Sequence, residues 1–250
     1  MSNPKPGAKI HIIYYSMYGH IAQMAKQVLK GVEAAGAQGF LFQIPETLPQ
    51  DVLDKMHAPK KDDKVPVVTY DKLDDILVNC DGIIFGYPTR YGGMCGQMKT
   101  FWDQTGGLWM KGALMSKPFS IFFSTSTQGG GQETTALTSL SNFVHHGMIY
   151  VPIGYSSPKL ADMNEIHGGS AYGAGTLSGP DGSRQPSALE LEVAEHSGKH
   201  LTEIAMALKI GRDALPKKEA SPPNPEQKSV PPEPSRSRQS SANLKAKENK

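Results

Sequence analysis

The feature that most constrains this chain is a repeated alternation of β-rich runs with helix-patterned segments. Lys9 to Tyr15 is β-branched and aromatic almost throughout, as expected of a strand buried on both faces. It passes at once into Ile21 to Ala35, where Ile21, Met24, Ala25, Val28 and Val32 recur at helical spacing until Gly36 supplies a stop. Further strands are predicted over 39–44, 83–87, 119–123 and 148–153. Helices are predicted over 70–79, 96–105 and 132–145. The last helix starts at the capping box Ser187-Ala188-Leu189-Glu190 and runs to Ile210, where Gly211 ends it. Strand and helix in strict alternation predict a parallel sheet covered by helices on both faces.

Between these elements the chain is polar. Pro45 to Val68 carries four prolines and the run Lys60-Lys61-Asp62-Asp63-Lys64, read as a solvated surface loop with a short helix over 50–56. Gly106-Gly107-Leu108-Trp109 reads as a turn presenting an indole, and His11 as a satisfied core or strand-end histidine. Ser156 to Gln185 is rich in Gly, Ser and Asp with little periodicity, and long segments of that kind in compact domains are usually functional or disordered. Residues 1–8 are a short extension, 9–211 the folded domain and 212–250 a disordered tail. That tail holds seven prolines and almost no large apolar residue, too little surface to offset the entropy of ordering.

The net charge of +2 suggests neither nucleic acid nor a membrane as the main partner. Nine Lys/Arg against five Asp/Glu lie beyond Ile210, so the remainder is about −2. No apolar run approaches the roughly 20 residues that cross a bilayer, the N-terminus has no signal-peptide core, and with no cysteine in the tail no lipid anchoring through a C-terminal thiol is expected. A cytoplasmic protein with Cys80 and Cys95 as free thiols is expected, Cys95 in an exposed Gly-rich loop. No metal site is expected.

Three loops, after the first, third and fourth strands, are chemically unusual. The first, Ser16-Met17-Tyr18-Gly19-His20-Ile21, joins strand to helix directly. The first N–H groups of a helix lack intrahelical partners and share the positive end of its dipole, which makes the turn a seat for phosphate. It lacks the Gly-Lys-Ser/Thr ending of a nucleotide P-loop. The second, Pro88-Thr89-Arg90-Tyr91, offers a rigid edge, an aromatic face and a guanidinium fork. The third, Ser124-Thr125-Ser126-Thr127-Gln128-Gly129, offers hydroxyls and glycine N–H groups that can follow a flat polar ring. A flavodoxin-like α/β sandwich of three layers, with five parallel strands in the order 2-1-3-4-5, would bring the three together at the carboxyl ends of its strands. Without Gly-x-Gly-x-x-Gly after strand one, and without an acidic residue ending strand two, FMN fits better than a dinucleotide.

The segments Tyr14–Ile21, Phe85–Tyr91, Gly96–Trp109, Gly129–Thr134, His145-His146-Gly147-Met148 and Gly182–Ser187 resemble the WrbA family of FMN-dependent NAD(P)H:quinone oxidoreductases over roughly Lys9 to Gly211. The resemblance implies that Ser16 to Ile21 hold the FMN phosphate, that Thr89 to Tyr91 line the isoalloxazine and that Ser124 to Gly129 wrap its polar edge. It implies that His145 reaches the flavin from a neighbouring element, that Tyr18 meets the nicotinamide nucleotide and that Trp109 walls the quinone. Many members have glycine where this chain has Ser126, which puts the backbone contacts of that loop in question. The implied assembly is a homotetramer.

The expected chemistry is hydride transfer from NADH or NADPH to the flavin and from it to a quinone, with His145 and His146 as candidate donors to the quinone oxygen. A flavodoxin-type electron carrier, or an FMN-binding scaffold acting through its tail, are the alternatives. Nearly balanced charge argues against the carrier, because such proteins steer partners with dense surface charge.

Overall fold

The computed structural model describes residues 7–216. The elements are β1 (Lys9–Tyr14), α1 (His20–Ala34), β2 (Gln38–Gln43), α2 (Gln50–Lys55), β3 (Gly82–Arg90), β4 (Gly93–Met94), α3 (Gly96–Asp103), α4 (Gly106–Met110), β5 (Pro118–Thr125), α5 (Gln132–His145), β6 (Ile149–Tyr150), β7 (Ala174–Leu177) and α6 (Ala188–Ala214). The parallel sheet runs β2-β1-β3-β5-β6, with β7 also pairing with β5, which is the expected 2-1-3-4-5 order of a flavodoxin-like fold. Register is fixed by pairs such as Ile12↔Leu41, Ile12↔Ile84 and Phe85↔Ile121.

Side chains alternate across the sheet with period two and feed two cores. Ile10, Ile12, Tyr14, Ile84 and Phe122 meet Met24 and Val28 of α1 and Val193 and Leu201 of α6. Ile13, Phe85, Phe119 and Ile121 meet Met98, Phe101 and Trp102 of α3 and Phe143 of α5. In the second core Phe119 stacks on Phe143 at 4.0 Å between centroids, and Phe85 lies 5.0 Å from Trp102. α1 and α6 approach so closely that a Cβ on Gly198 would lie 2.1 Å from the Val28 carbonyl oxygen. Only glycine permits that contact.

Several expectations are corrected. The fifth strand is split: β6 pairs with the start of β5 and β7 with its end, the chain leaving the sheet at Pro152, which has no N–H to donate. β7 lies inside the segment read as aperiodic. Residues 70–79 form a 3₁₀ turn and a π turn, although Leu73, Ile76 and Leu77 are buried as expected. Gly106–Met110 is helical, with Trp109 exposed on it. α6 continues through Gly211 to Ala214, since one glycine costs a helix only about 1 kcal/mol. Residues 217–250 of the expected tail lie outside the described residues.

Two further departures concern single side chains. Cys95 is buried under the second core, and burial pushes its thiol pKa up. Lys61 is not merely solvated: its Nζ sits 4.6 Å over the Tyr15 ring and 3.2 Å from Glu46 Oε2. His11 is buried with Nδ1 2.7 Å from the Ile76 carbonyl, the satisfied state expected of it.

Candidate functional site

The β1–α1 turn and the carboxyl ends of β3 and β5, which extend through Arg90 and Thr125 into the segments read as loops, converge with the turns that follow them around a cavity of about 490 Å³. Such volumes are ordinary for small-molecule sites.

The floor of one end is the β1–α1 turn. Gly19 caps α1 at φ 93, a conformation open to glycine. Ser16 Oγ accepts hydrogen bonds from Gly19 N at 3.1 Å and Ala22 N at 3.2 Å, which leaves its own proton to donate. The backbone N–H groups of Met17, Tyr18, His20 and Ile21 have no protein acceptor among the described residues. A ring of free N–H groups at a helix start, with a spare hydroxyl, is a donor set for an anion. The His20 imidazole is not part of it: Nε2 donates to the Arg184 carbonyl at 2.8 Å.

Below the turn, Tyr15 Oη donates to Glu46 Oε2 at 2.7 Å and Gln97 Nε2 to Oε1 at 3.0 Å. Partial burial acts to raise the Glu46 pKa, but hydrogen bonds from Tyr15, Leu48, Gln97 and Thr47 outweigh it and bring the carboxyl to about 2. Burial, followed by the bond to Glu46, pushes the Tyr15 phenol far up. Glu46 is thus an acidic residue just past strand two. Its oxygens are committed to anchoring the turn.

The second wall is Pro88, Thr89, Arg90, Tyr91 and Gly92. Thr89 Oγ1 is held by Thr135 Oγ1 of α5 at 2.9 Å, and Tyr91 stands fully exposed at φ 52. The Arg90 guanidinium turns back onto the Thr89 carbonyl at 3.0 Å. The third wall is Ser124, Thr125, Ser126 and Gly130. Ser126 has no positive φ, so serine sits there without backbone strain. Thr127 is outside the cavity lining, while Gln128 and Gly129 line an adjacent cleft that includes His167 and Gly168. Gly19 likewise lies behind the turn, in a smaller cleft with Lys26 and Lys61.

A fourth wall, Ser178-Gly179-Pro180-Asp181-Gly182, was not foreseen residue by residue. Its Asp181 Oδ1 accepts from Ser183 N and Oγ at 3.1 and 2.8 Å.

FMN fits this donor set. The phosphate end is rich in N–H and hydroxyl donors, the one carboxylate in the lining, Asp181, is held through Oδ1 by Ser183, and the remaining walls offer a flat ring hydroxyls and small residues.

His145, His146 and Trp109 lie elsewhere, around a separate cleft of about 440 Å³ with Lys99, Trp102, Asp103 and Thr105. Within one chain His145 therefore does not reach the cavity of Ser16 and Thr125. It is exposed at the last turn of α5. His146 is buried. Thr105 Oγ1 donates to the Trp102 carbonyl at 2.7 Å and accepts from His146 Nε2 at 2.9 Å. Burial, then the charge of His145, lowers the His146 pKa. Its ring packs 5.4 Å from that of Trp102.

The model of a family described as NADPH-dependent FMN reductase matches residues 8–161. A protein of Alternaria alternata described as minor allergen Alt a 7 is 57% identical over 76% of this chain and 93% of its own. A quinone-oxidoreductase of Triphysaria versicolor is 54% identical over 80% of this chain and 97% of its own. An NAD(P)H quinone oxidoreductase of Candida albicans is 53% identical over 81% of this chain and 70% of its own. Among solved structures, a WrbA-like flavodoxin from Agrobacterium tumefaciens superposes at a TM-score of 0.55 with 22% identity, over 80% of this chain and 98% of that one, which shows the shared fold. With the flavodoxin topology, the phosphate-ready turn and these likenesses together, the chain belongs to the NADPH-dependent FMN reductase family and has a flavodoxin-like fold.

Proposed function

We propose that this protein is an FMN-dependent NAD(P)H:quinone oxidoreductase that reduces quinones to hydroquinones by two electrons. The observation that carries the reading is the open cavity whose phosphate end is built from the free N–H groups of the β1–α1 turn and the start of α1. The relatives described as quinone oxidoreductases support the substrate class. Bound FMN supplies the hydride chemistry.

The chain's own residues bind and orient. The N–H groups of Met17, Tyr18, His20 and Ile21 and the Ser16 hydroxyl take the phosphate. Pro88, Thr89, Arg90 and Tyr91 face the ring, and Ser124, Thr125, Ser126 and Gly130 follow its polar edge. Tyr18, 44% exposed at the mouth, meets the nicotinamide nucleotide. One mouth serves donor and acceptor in turn, so the kinetics are ping-pong.

Trp109 and His145 serve the site of a neighbouring copy in a homotetramer. The exposure of Trp109, Met110, Met115 and Val144 supports that arrangement. His145 is then the proton or hydrogen-bond donor to the quinone, and His146 is structural. No helix among the described residues is long and apolar enough to cross a membrane, and the cytoplasm is the proposed location. Initial rates over a grid of NADPH and benzoquinone concentrations test the scheme. Parallel double-reciprocal lines are expected. Intersecting lines would rule out alternate use of one mouth.

A further inference from the structure

The fourth wall of the cavity is held by a device that the reaction itself does not require. Glu190, in the first turn of α6, is a carboxylate with no solvent exposure. Oε1 accepts from Gly168 N at 2.9 Å and Leu177 N at 3.1 Å. Oε2 accepts from Thr176 Oγ1 at 2.7 Å and Ser187 N at 2.8 Å. Arg184 Nη1 bridges both oxygens at 3.0 and 2.9 Å. A buried charge is tolerated only when paired and hydrogen-bonded this fully.

Arg184 then fixes the wall from its far end. Nη1 also donates to the Leu177 carbonyl at 2.6 Å and Nη2 to the Ile166 carbonyl at 3.0 Å. Its backbone N–H donates to the Ser178 carbonyl at 2.9 Å, closing residues 178–184 into a loop whose inner side is the cavity wall. Its backbone carbonyl receives His20 Nε2 at 2.8 Å, and His20 is the first residue of α1, at the phosphate end. Next to it, Gln23 Nε2 of α1 donates to Gln185 Oε1 at 2.7 Å. One residue thus holds residues 166 and 177, just before the rim, through its side chain, and the rim itself and the phosphate turn through its backbone N–H and carbonyl.

We propose that Arg184, locked by Glu190, is a positioning residue that couples the 178–182 wall to the anion turn at the start of α1, so that cofactor affinity depends on a strut lying outside the cavity. The proposal rests on the FMN reading of the cavity. It assigns Arg184 no contact with the cofactor or substrate.

The test is a titration of apoprotein into FMN, following quenching of flavin fluorescence, with the visible circular dichroism of the bound flavin as second readout. It is run well below the melting temperature of each variant, with far-ultraviolet circular dichroism to verify the fold. Arg184→Lys keeps the charge and loses the fork. His20→Leu cuts only the backbone link, and His20→Gln restores a donor to the Arg184 carbonyl. Losing a charge-assisted or buried hydrogen bond predicts FMN affinity about tenfold or more lower in Arg184→Lys, with an altered flavin dichroism band. His20→Leu should lose affinity, and His20→Gln should recover most of it. Folded Arg184→Lys and His20→Leu proteins that bind within about twofold of wild type would overturn the strut while leaving the FMN reading intact. A His20→Gln protein as weak as His20→Leu would also overturn it. Wild-type protein that takes up no FMN would overturn the FMN reading, and the strut with it.

Discussion

The anion turn at residues 16–21 and the rim at 178–182 line the same cavity but are stabilised by opposite means. The turn is local. Gly19, Ser16 and the start of α1 make it within a few residues, using backbone N–H groups and one hydroxyl. The rim is made at long range, around the fully buried Glu190 carboxylate and its half-buried partner Arg184, whose other partners come from residues 166, 168, 176–178 and 187. The first arrangement leaves donors free for a ligand. The second spends the Arg184 guanidinium and the Gly168, Leu177 and Ser187 N–H groups on its own acceptors. Changes in the turn should therefore cost mainly affinity, and changes in the rim stability first, together with the affinity that the Arg184 strut confers.

The largest effect is expected at the hub of the rim. Glu190→Ala strips the carboxylate from Arg184 and from the Gly168, Leu177 and Ser187 N–H groups, and removing one partner of such a pair costs about 3–5 kcal/mol. Urea unfolding of the apoprotein checks this, and a loss under about 1 kcal/mol would erase the contrast between the regions. In the turn, Gly19→Ala places a side chain at φ 93, where the strain is about 1–2 kcal/mol although no neighbour lies within 4 Å of the new Cβ. Its thermal melt should fall modestly and its FMN affinity more steeply. Ser16→Ala removes the cap of Gly19 and Ala22, worth about 1 kcal/mol, together with one anion donor. The same melt and titration separate the two consequences, and a variant that loses stability without losing affinity would contradict the division.

A smaller effect tests the anchor under the turn. The Glu46 carboxyl, brought to about 2 in the folded chain, lies below its ordinary value of 4.5. Its stabilisation is complete above the unfolded value and is lost as pH falls through the folded one. Tyr15→Phe, which removes one of its hydrogen bonds, should flatten the fall in urea midpoint between about pH 5 and 2.5 relative to wild type. An unchanged acid limb would mean that other carboxylates govern it. Smallest of all is the expected effect of Trp109→Ala on monomer stability, because the indole is 55% exposed. Its effect should fall on quinone turnover.

How much of this was legible in the sequence follows the same division. The anion turn could be read because its residues are contiguous and its geometry follows from a strand entering a helix. α5 could be read from its bounding Gly131 and its apolar spacing. The rim could not. The only sign of Glu190 was the capping box with Ser187, and that describes one of its bonds, Ser187 N to Oε2, while the pairing with Arg184 and the 166–177 stretch has no periodic signature. β7 escaped because Ala-Gly-Thr-Leu has no β-branched run, its small residues serving instead to let the chain press against β5. The docking of Lys61 and the burial of Cys95 depend on what packs over them, which local composition does not carry.

The central claim is that one FMN cavity passes two electrons from a nicotinamide nucleotide to a quinone. Anaerobic stopped-flow absorbance on FMN-loaded protein tests it most directly, adding NADPH or NADH first and benzoquinone second. Rapid bleaching of the flavin band by one nucleotide, followed by full recovery on adding quinone, is the result expected. Tightly bound FMN that neither nucleotide bleaches would contradict it.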